Sequence, residues 1–474
     1  MKKYLIILLG TLAVSCASDE TYDSLNKDQN NPPDVPSRTL FTGATKNLFD
    51  QMESTNVNTN VYRLFAQYWT ETTYIDESNY DLTTRNIPSN HWTEMFTNVL
   101  YDLKDAKNKP DTDTDGKKGM IEVLEVYTWQ QLVDTFGNIP YSEALLGREN
   151  QNPAYDDAQT IYQDLLVRID AAILKLSSAT DNGFEDADLI FNGDLGQWIK
   201  FANSLKFKLA MRIADVSSLA TLSQTAAQDA YNAGLIASNS DNVTLSYGAA
   251  TPNTNPLWVD LVQSGRQDFV VANTIVDYMN TLSDPRRAFY FDDNLGTGSY
   301  VGGPYGDNNS FFSYTHVGEL MHQPTFRGVL MDYSEIEFLL AEAAERGYAV
   351  GGTAETHYNN GITASMEDWG VATVDASAYL LNPSVAYTTA TGTWREKIGF
   401  QFWLAMYNRG FEGWSVYRKY DAPAMNVAAD SGLDVPKRYT YPLREQTINI
   451  TNYSAASAAI GGDELDTPIF WDVN

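Results

Sequence analysis

The stretch DTDTDGKKGMIE, residues 111–122, puts aspartates at its first, third and fifth positions, a glycine at the sixth and a glutamate at the twelfth. That is the spacing of a calcium-binding loop. Calcium is a hard cation that takes about six to eight oxygen ligands. Asp111, Asp113 and Asp115 would supply three carboxylates, Lys117 its carbonyl and Glu122 two further oxygens, with Gly116 making the sharp turn. Such a Ca2+ site would be structural, tying two helices together, and no cofactor is required by anything else in the chain. Lys117 and Lys118 bring positive charge into the same stretch, so an acidic surface turn is the alternative.

No other stretch has catalytic spacing. His91, His316, His322 and His357 show no metal-ligand pattern. No nucleophile elbow or phosphate-cradling glycine loop is present. Among 61 acidic residues a carboxylate pair for glycoside hydrolysis can be imagined, but no pair stands out. No enzyme is read from these residues. A surface glycan or peptide hydrolase and a helical-repeat assembly scaffold are the rival classes. A net charge of −29 repels nucleic-acid phosphates and excludes that partner.

The one cysteine, Cys16, points to chemistry of another kind. Lys2 and Lys3 precede the apolar run YLIILLGTLAV, too short for a permanent span, and the small residues Ala13 and Ser15 lead into the cysteine. The arrangement resembles a bacterial lipobox. It implies that residues 1–15 are a signal peptide and that Cys16 becomes an acylated N-terminus on a membrane, where several acyl chains anchor durably. Asp19 and Glu20 resemble the acidic signal that sends Bacteroidetes lipoproteins to the outer face of the outer membrane. Residues 16–36 then read as a polar, proline-containing tether, and 37–474 as the folded domain.

Apolar residues recur at three- and four-residue steps over 160–176 and again from Leu195 to Ile213, with Asp194 placed to cap the second helix. On that helix Lys200, Lys206, Lys208 and Arg212 take much of the remaining face. They read as a solvated face paired with carboxylates or, alternatively, as a contact for a partner. Residues 333–346 predict a third helix ended by Gly347, and 398–406 begin a fourth that Gly410 and Gly413 interrupt. Residues 243–247 are a short strand candidate. The stretch 291–324 is too long for an ordinary loop, and its glycines interleave with Tyr300, Tyr305, Phe311, Phe312 and Tyr314. That composition favours an ordered, ligand-facing loop.

Seven segments taken together resemble one family: FGNIPYSEAL (136–145), YDDAQTIYQDLLVRIDAAILKL (155–176), DLIFNGDLGQWIKFANSLKFKLAMRIADV (188–216), DPRRAFYF (284–291), EIEFLLAEAAERGY (335–348), FEGWSVYRKYDAP (411–423) and RYTYPLREQTINITNY (438–453). Their order and spacing are similar to the SusD-like (SusD/RagB) outer-membrane lipoproteins of Bacteroidetes. The resemblance implies a mainly α fold of degenerate tetratricopeptide-like helix pairs, with long irregular loops and few short strands. It implies capture of a nutrient, oligosaccharide or peptide, and its delivery to a SusC-like TonB-dependent transporter. By correspondence with the family, 67–82, 91–96 and the 291–324 loop lie near the ligand. Tyr74, Tyr80, Trp92, Tyr300, Tyr305 and Phe312 are then the candidate binding residues, because flat rings stack on sugars or grip peptide side chains.

Overall fold

A computed structural model describes residues 35–473. Cys16, the signal segment and the tether as far as residue 34 lie outside the described residues. Helices form where the apolar period is helical, and several start where a side-chain oxygen takes up an end amide. After α1 (Ser37–Glu53) and α2 (Asp115–Phe136) come α3 (Ala158–Ser178), capped by Asp157, and α4 (Leu195–Arg212), capped by Asp194. Next are α5 (Ala220–Ala233), α6 (Tyr333–Glu345) behind Asp332, and α7 (Ala354–Asp368) behind Thr353. A reciprocal Thr393–Glu396 box starts α8 (Trp394–Ala405), and α9 (Gly410–Tyr420) follows it. Caps of this kind contribute about 1 kcal/mol each.

Consecutive helices pack together: α2 on α3, α3 on α4, α4 on α5, α6 on α7 and α8 on α9, with α6 also against α8. Burial of the α4 stripe, Trp198, Phe201, Leu205 and Leu209, drives this packing at roughly 1.5–3 kcal/mol per side chain. Strand is sparse. Among the described residues β1 (Trp69–Glu71) pairs antiparallel with β3 (Phe269–Val271), and β2 (Val243–Leu245) with β4 (Gly328–Met331). The fold is mainly α, as the sequence predicts.

Two expectations are corrected. The basic face of α4 is not solvated: Lys206, Lys208 and Arg212 are buried. Lys208 pairs with Glu412 and Glu335, Arg212 with Asp134 and Glu412, and Lys206 with Asp170, so the carboxylates come from other helices packed over this face. Lys200 alone of the four keeps a substantially exposed side chain, paired with Asp241. Nor do Gly410 and Gly413 interrupt a helix. The chain turns between α8 and α9, Gly410 opens α9, and Gly413 lies inside it. A Cβ at Gly413 would overlap the Tyr68 hydroxyl, which is held by its bond to the Trp403 carbonyl at 2.5 Å. Gly413→Ala is therefore expected to destabilise the fold by about 1–3 kcal/mol, read by urea denaturation, even though alanine is the better helix former.

Candidate functional site

The site is built on the short ladder between β1 and β3, where Trp69 lies opposite Val271 and Glu71 opposite Phe269. Beyond β1 the chain leaves in a tight loop whose two ends are clamped. The Glu71 amide donates to Ser78 Oγ at 3.1 Å, and the Ser78 amide donates to a Glu71 carboxyl oxygen at 2.8 Å. Within this loop stands Tyr74, in the left-handed region at φ 57° and 69% exposed.

The glycine-rich stretch is stitched to the other side of the same ladder. The Val271 amide donates to the Thr315 carbonyl, the Gly303 amide to the Val271 carbonyl and the Thr315 amide to the Val301 carbonyl. Gly302 lies so close to the Asn273 backbone that any Cβ would overlap it. Asn309 completes the seam: its Nδ2 donates to the Glu71 carbonyl at 3.1 Å and also to the Pro304 and Asp307 carbonyls. Three residues on is Phe312, 76% exposed, with Phe311 beside it stacked on His316 at 3.9 Å between ring centroids. Tyr74 and Phe312 thus stand on two loops that share one hydrogen-bonded root.

The other predicted aromatics have different places. Tyr80 and Tyr305 are buried beneath these loops with ring centroids 6.0 Å apart, and the Tyr305 hydroxyl donates to the Leu64 carbonyl. Both belong to the buried core. Tyr300 is buried too, packed on Phe291 and bonded through its hydroxyl to Asp293. Trp92 lies elsewhere, stacked on Phe96 at 4.6 Å and lining a separate cavity of about 450 Å³ with Pro140, Pro153 and Pro442. Sequence reasoning did not single out Glu71, Ser78 or Asn309. Asn309 acts on a backbone carbonyl far away in the chain, and Glu71 and Ser78 clamp an irregular loop that no helix or strand period marks.

In the same segment Glu71 and Glu77 are buried side by side, with Arg85 paired to Glu77. Burial first, then the charge of Glu77, pushes the Glu71 carboxyl up to about 9, so it carries a proton at neutral pH. A raised folded-state pKa gives stability that is complete below the ordinary value of 4.5 and lost as pH rises through about 9. Glu71→Gln keeps the shape without the ionisation. It is expected to match the wild type near pH 4 and to exceed it by roughly 1 kcal/mol or more near pH 9, measured by urea unfolding at both.

The five residues considered for calcium are not gathered round a point. Because α2 begins at Asp115, the second half of the stretch is helical. It carries Glu122 inward, where it meets Arg168 at 2.5 Å and Lys107. Asp111 accepts from the Ser37 amide and hydroxyl, its carbonyl accepts from Lys117 Nζ, and Asp113 and Asp115 are exposed. The N-terminus of α2 is instead met by Asp181, which accepts from Thr114 Oγ1 and the Gly116 amide, a favourable place for negative charge. Among the described residues no group of three acidic, histidine or cysteine side chains is arranged to hold a metal ion. Calcium or EDTA is expected to leave the melting temperature unchanged, which scanning calorimetry checks.

The family model described as "Starch-binding associating with outer membrane" matches residues 29–442. Among curated proteins none matches the chain significantly. Of solved structures, the chain is similar to a chitin-binding SusD homologue from Flavobacterium johnsoniae, at 25% identity and a TM-score of 0.78 over 92% of this chain and 99% of that one. It is similar also to a SusD homologue from Bacteroides uniformis, at 27% identity and a TM-score of 0.77, again over 92% and 99%. A third, from Bacteroides ovatus, gives 26% and 0.78 over the same shares. With the family match running through most of the sequence and the fold agreeing with it, the chain belongs to the SusD-like family, a family of binding proteins and not of enzymes.

Proposed function

We propose that this protein captures an oligosaccharide at the outer face of the outer membrane and passes it to a SusC-like TonB-dependent transporter. The observation that carries the reading is the pair of exposed rings, Tyr74 and Phe312, on loops joined at Asn309 and Glu71. Large aromatics left in water on a rigid frame are what a sugar face needs for stacking. The starch-binding description of the family and the chitin-binding homologue support carbohydrate as the class. The excess of acidic residues disfavours acidic glycans.

Among the described residues no helix is long and apolar enough to cross a membrane, which fits attachment through acylated Cys16. Ligand held between this chain and the transporter would contact both only when the two are closed together, and so would favour closure. No nucleotide-binding motif is present, so the energy for import comes from the partner's side.

Titration calorimetry of the soluble form beginning after Cys16, against maltooligosaccharides, chitooligosaccharides and a peptide panel, tests the reading. Binding in a sugar panel without product is expected, as is co-purification of a barrel partner from membranes. Binding to peptides alone would overturn the carbohydrate class. Silence in every panel, with no barrel recovered, would overturn the function.

A further inference from the structure

A cavity of about 350 Å³ opens where the end of α7, the segment before β4 and the turn between α8 and α9 meet. Neither Tyr74 nor Phe312 lines it. Its aromatic wall is Trp369, half-buried at the C-terminal end of α7, with Phe326 beside it at 6.0 Å between centroids. Trp369 is braced from behind by Tyr290 at 4.6 Å and Tyr407 at 6.1 Å, so its plane is fixed. A second cavity of about 340 Å³ shares Trp369 and Leu320, so this one ring is in contact with both hollows.

The lining of the larger cavity carries two guanidinium groups and two carboxylates. Arg327 is bonded to Asp368, with side chains 40% and 17% exposed. Asp368 is held further by Asn242 Nδ2 at 3.3 Å. Deeper in, Arg409 is bonded to Asp332 at 3.1 Å, to the Leu330 carbonyl and, behind the wall, to Glu335 at 2.7 Å. Two guanidinium groups thus face two carboxylates. In a chain of net charge −29 this is a locally neutral hollow. Arg327 gives one terminal nitrogen to Asp368 and keeps further donors, and Thr325 stands exposed at the rim.

We infer that this cavity is a second carbohydrate site, taking one neutral pyranose unit against Trp369. The geometry separates it from other ligand classes. A free anion would meet Asp368 and Asp332, and a free cation would meet Arg327 and Arg409. A polyhydroxylated neutral ring can donate to the carboxylates, accept from the further donors of Arg327 and lay an apolar face on the indole. The volume lies at the small end of the range of about 300–1,000 Å³ for ligand pockets, which fits one sugar or the end of a chain better than a long segment. The inference shares its ligand class with the reading above but none of its residues.

The test uses saturation-transfer NMR with glucose and with N-acetylglucosamine on the chain beginning after Cys16, which keeps every described residue. The background is Tyr74→Ala/Phe312→Ala, which removes the exposed rings. Transfer is expected to persist in that variant and to fall at least about five-fold when Arg327→Ala or Thr325→Trp is added. The tryptophan at the exposed rim blocks the mouth without disturbing the core, and melting curves of each variant confirm folding. Loss of all transfer in the double-alanine variant while the wild type retains it would mean one site only and overturn the inference. So would transfer that survives both added substitutions. Absence of transfer in the wild type with either sugar would overturn this inference; oligosaccharide titration of the wild type then decides the reading above separately.

Discussion

Replacing Tyr74 and Phe312 together with alanine is expected to weaken oligosaccharide binding by roughly 100- to 1,000-fold while leaving the melting curve in place. The two halves of that expectation come from the same fact. At 69% and 76% exposure these rings bury little against the protein, so their loss removes little packing, and exposed substitutions ordinarily change stability by no more than about 0.5 kcal/mol. Against a ligand they become the large apolar surface, and truncating an aromatic anchor typically costs about 2 kcal/mol or more. The left-handed backbone at residue 74 is inherited unchanged by alanine, since tyrosine already bears that strain. Titration calorimetry beside scanning calorimetry separates the two effects. Full affinity in the double variant would move the principal site away from the β1–β3 face. A large fall in melting temperature would show that the rings are part of the packing after all.

The largest effect on stability is expected at Glu412. Its carboxylate is buried on α9 within reach of Lys208 and Arg212 from α4, and Arg409 stands one turn before it. Burial disfavours its charge, but Lys208, Arg409 and Arg212 outweigh that and hold the pKa at about 2. Glu412→Ala removes one carboxylate from a buried cluster in which Lys208 and Arg409 then share Glu335 and Arg212 keeps Asp134, and it is expected to cost about 3–5 kcal/mol, read as a lower urea midpoint with an unchanged slope. The acid dependence follows from the sign of the shift. A depressed folded-state pKa gives stability that is complete above the ordinary value of 4.5 and lost as pH falls towards about 2. Wild-type stability should therefore decline over that interval, and the decline should be smaller in Glu412→Gln. Equal acid slopes in the two proteins would show that Glu412 does not govern the loss.

The sequence made the helices readable where periodicity and capping agree. Residues 160–176 lie inside the observed Ala158–Ser178, Asp194 does cap its helix, and the third helix closes within one residue of the expected end. It was less informative about which way the polar groups face. The basic residues of α4 suit a solvated face equally well until the carboxylates of Asp134, Glu335 and Glu412 arrive from elsewhere in the chain. Nor did the period of a helix or a strand help in the loops. Tyr74 and Tyr80 lie six residues apart in the same irregular stretch, one in water and the other beneath it. The bond from Asn309, 238 residues away, to the Glu71 carbonyl fixes how this stretch sits, and it is invisible to local spacing. The calcium spacing met a related competition: helix formation from Asp115 takes up the second half of the stretch and turns Glu122 towards Arg168.

The seam joining the two ring-bearing loops is made largely of main-chain donors and acceptors, such as the Val271 amide on the Thr315 carbonyl. Such bonds do not depend on which side chain stands at residue 74 or 312. The frame is therefore a pair of sockets into which different side chains can be fitted without refolding the protein. On the function proposed above, a new diet would lie only a few substitutions away, at the tips, while the scaffold beneath stayed still.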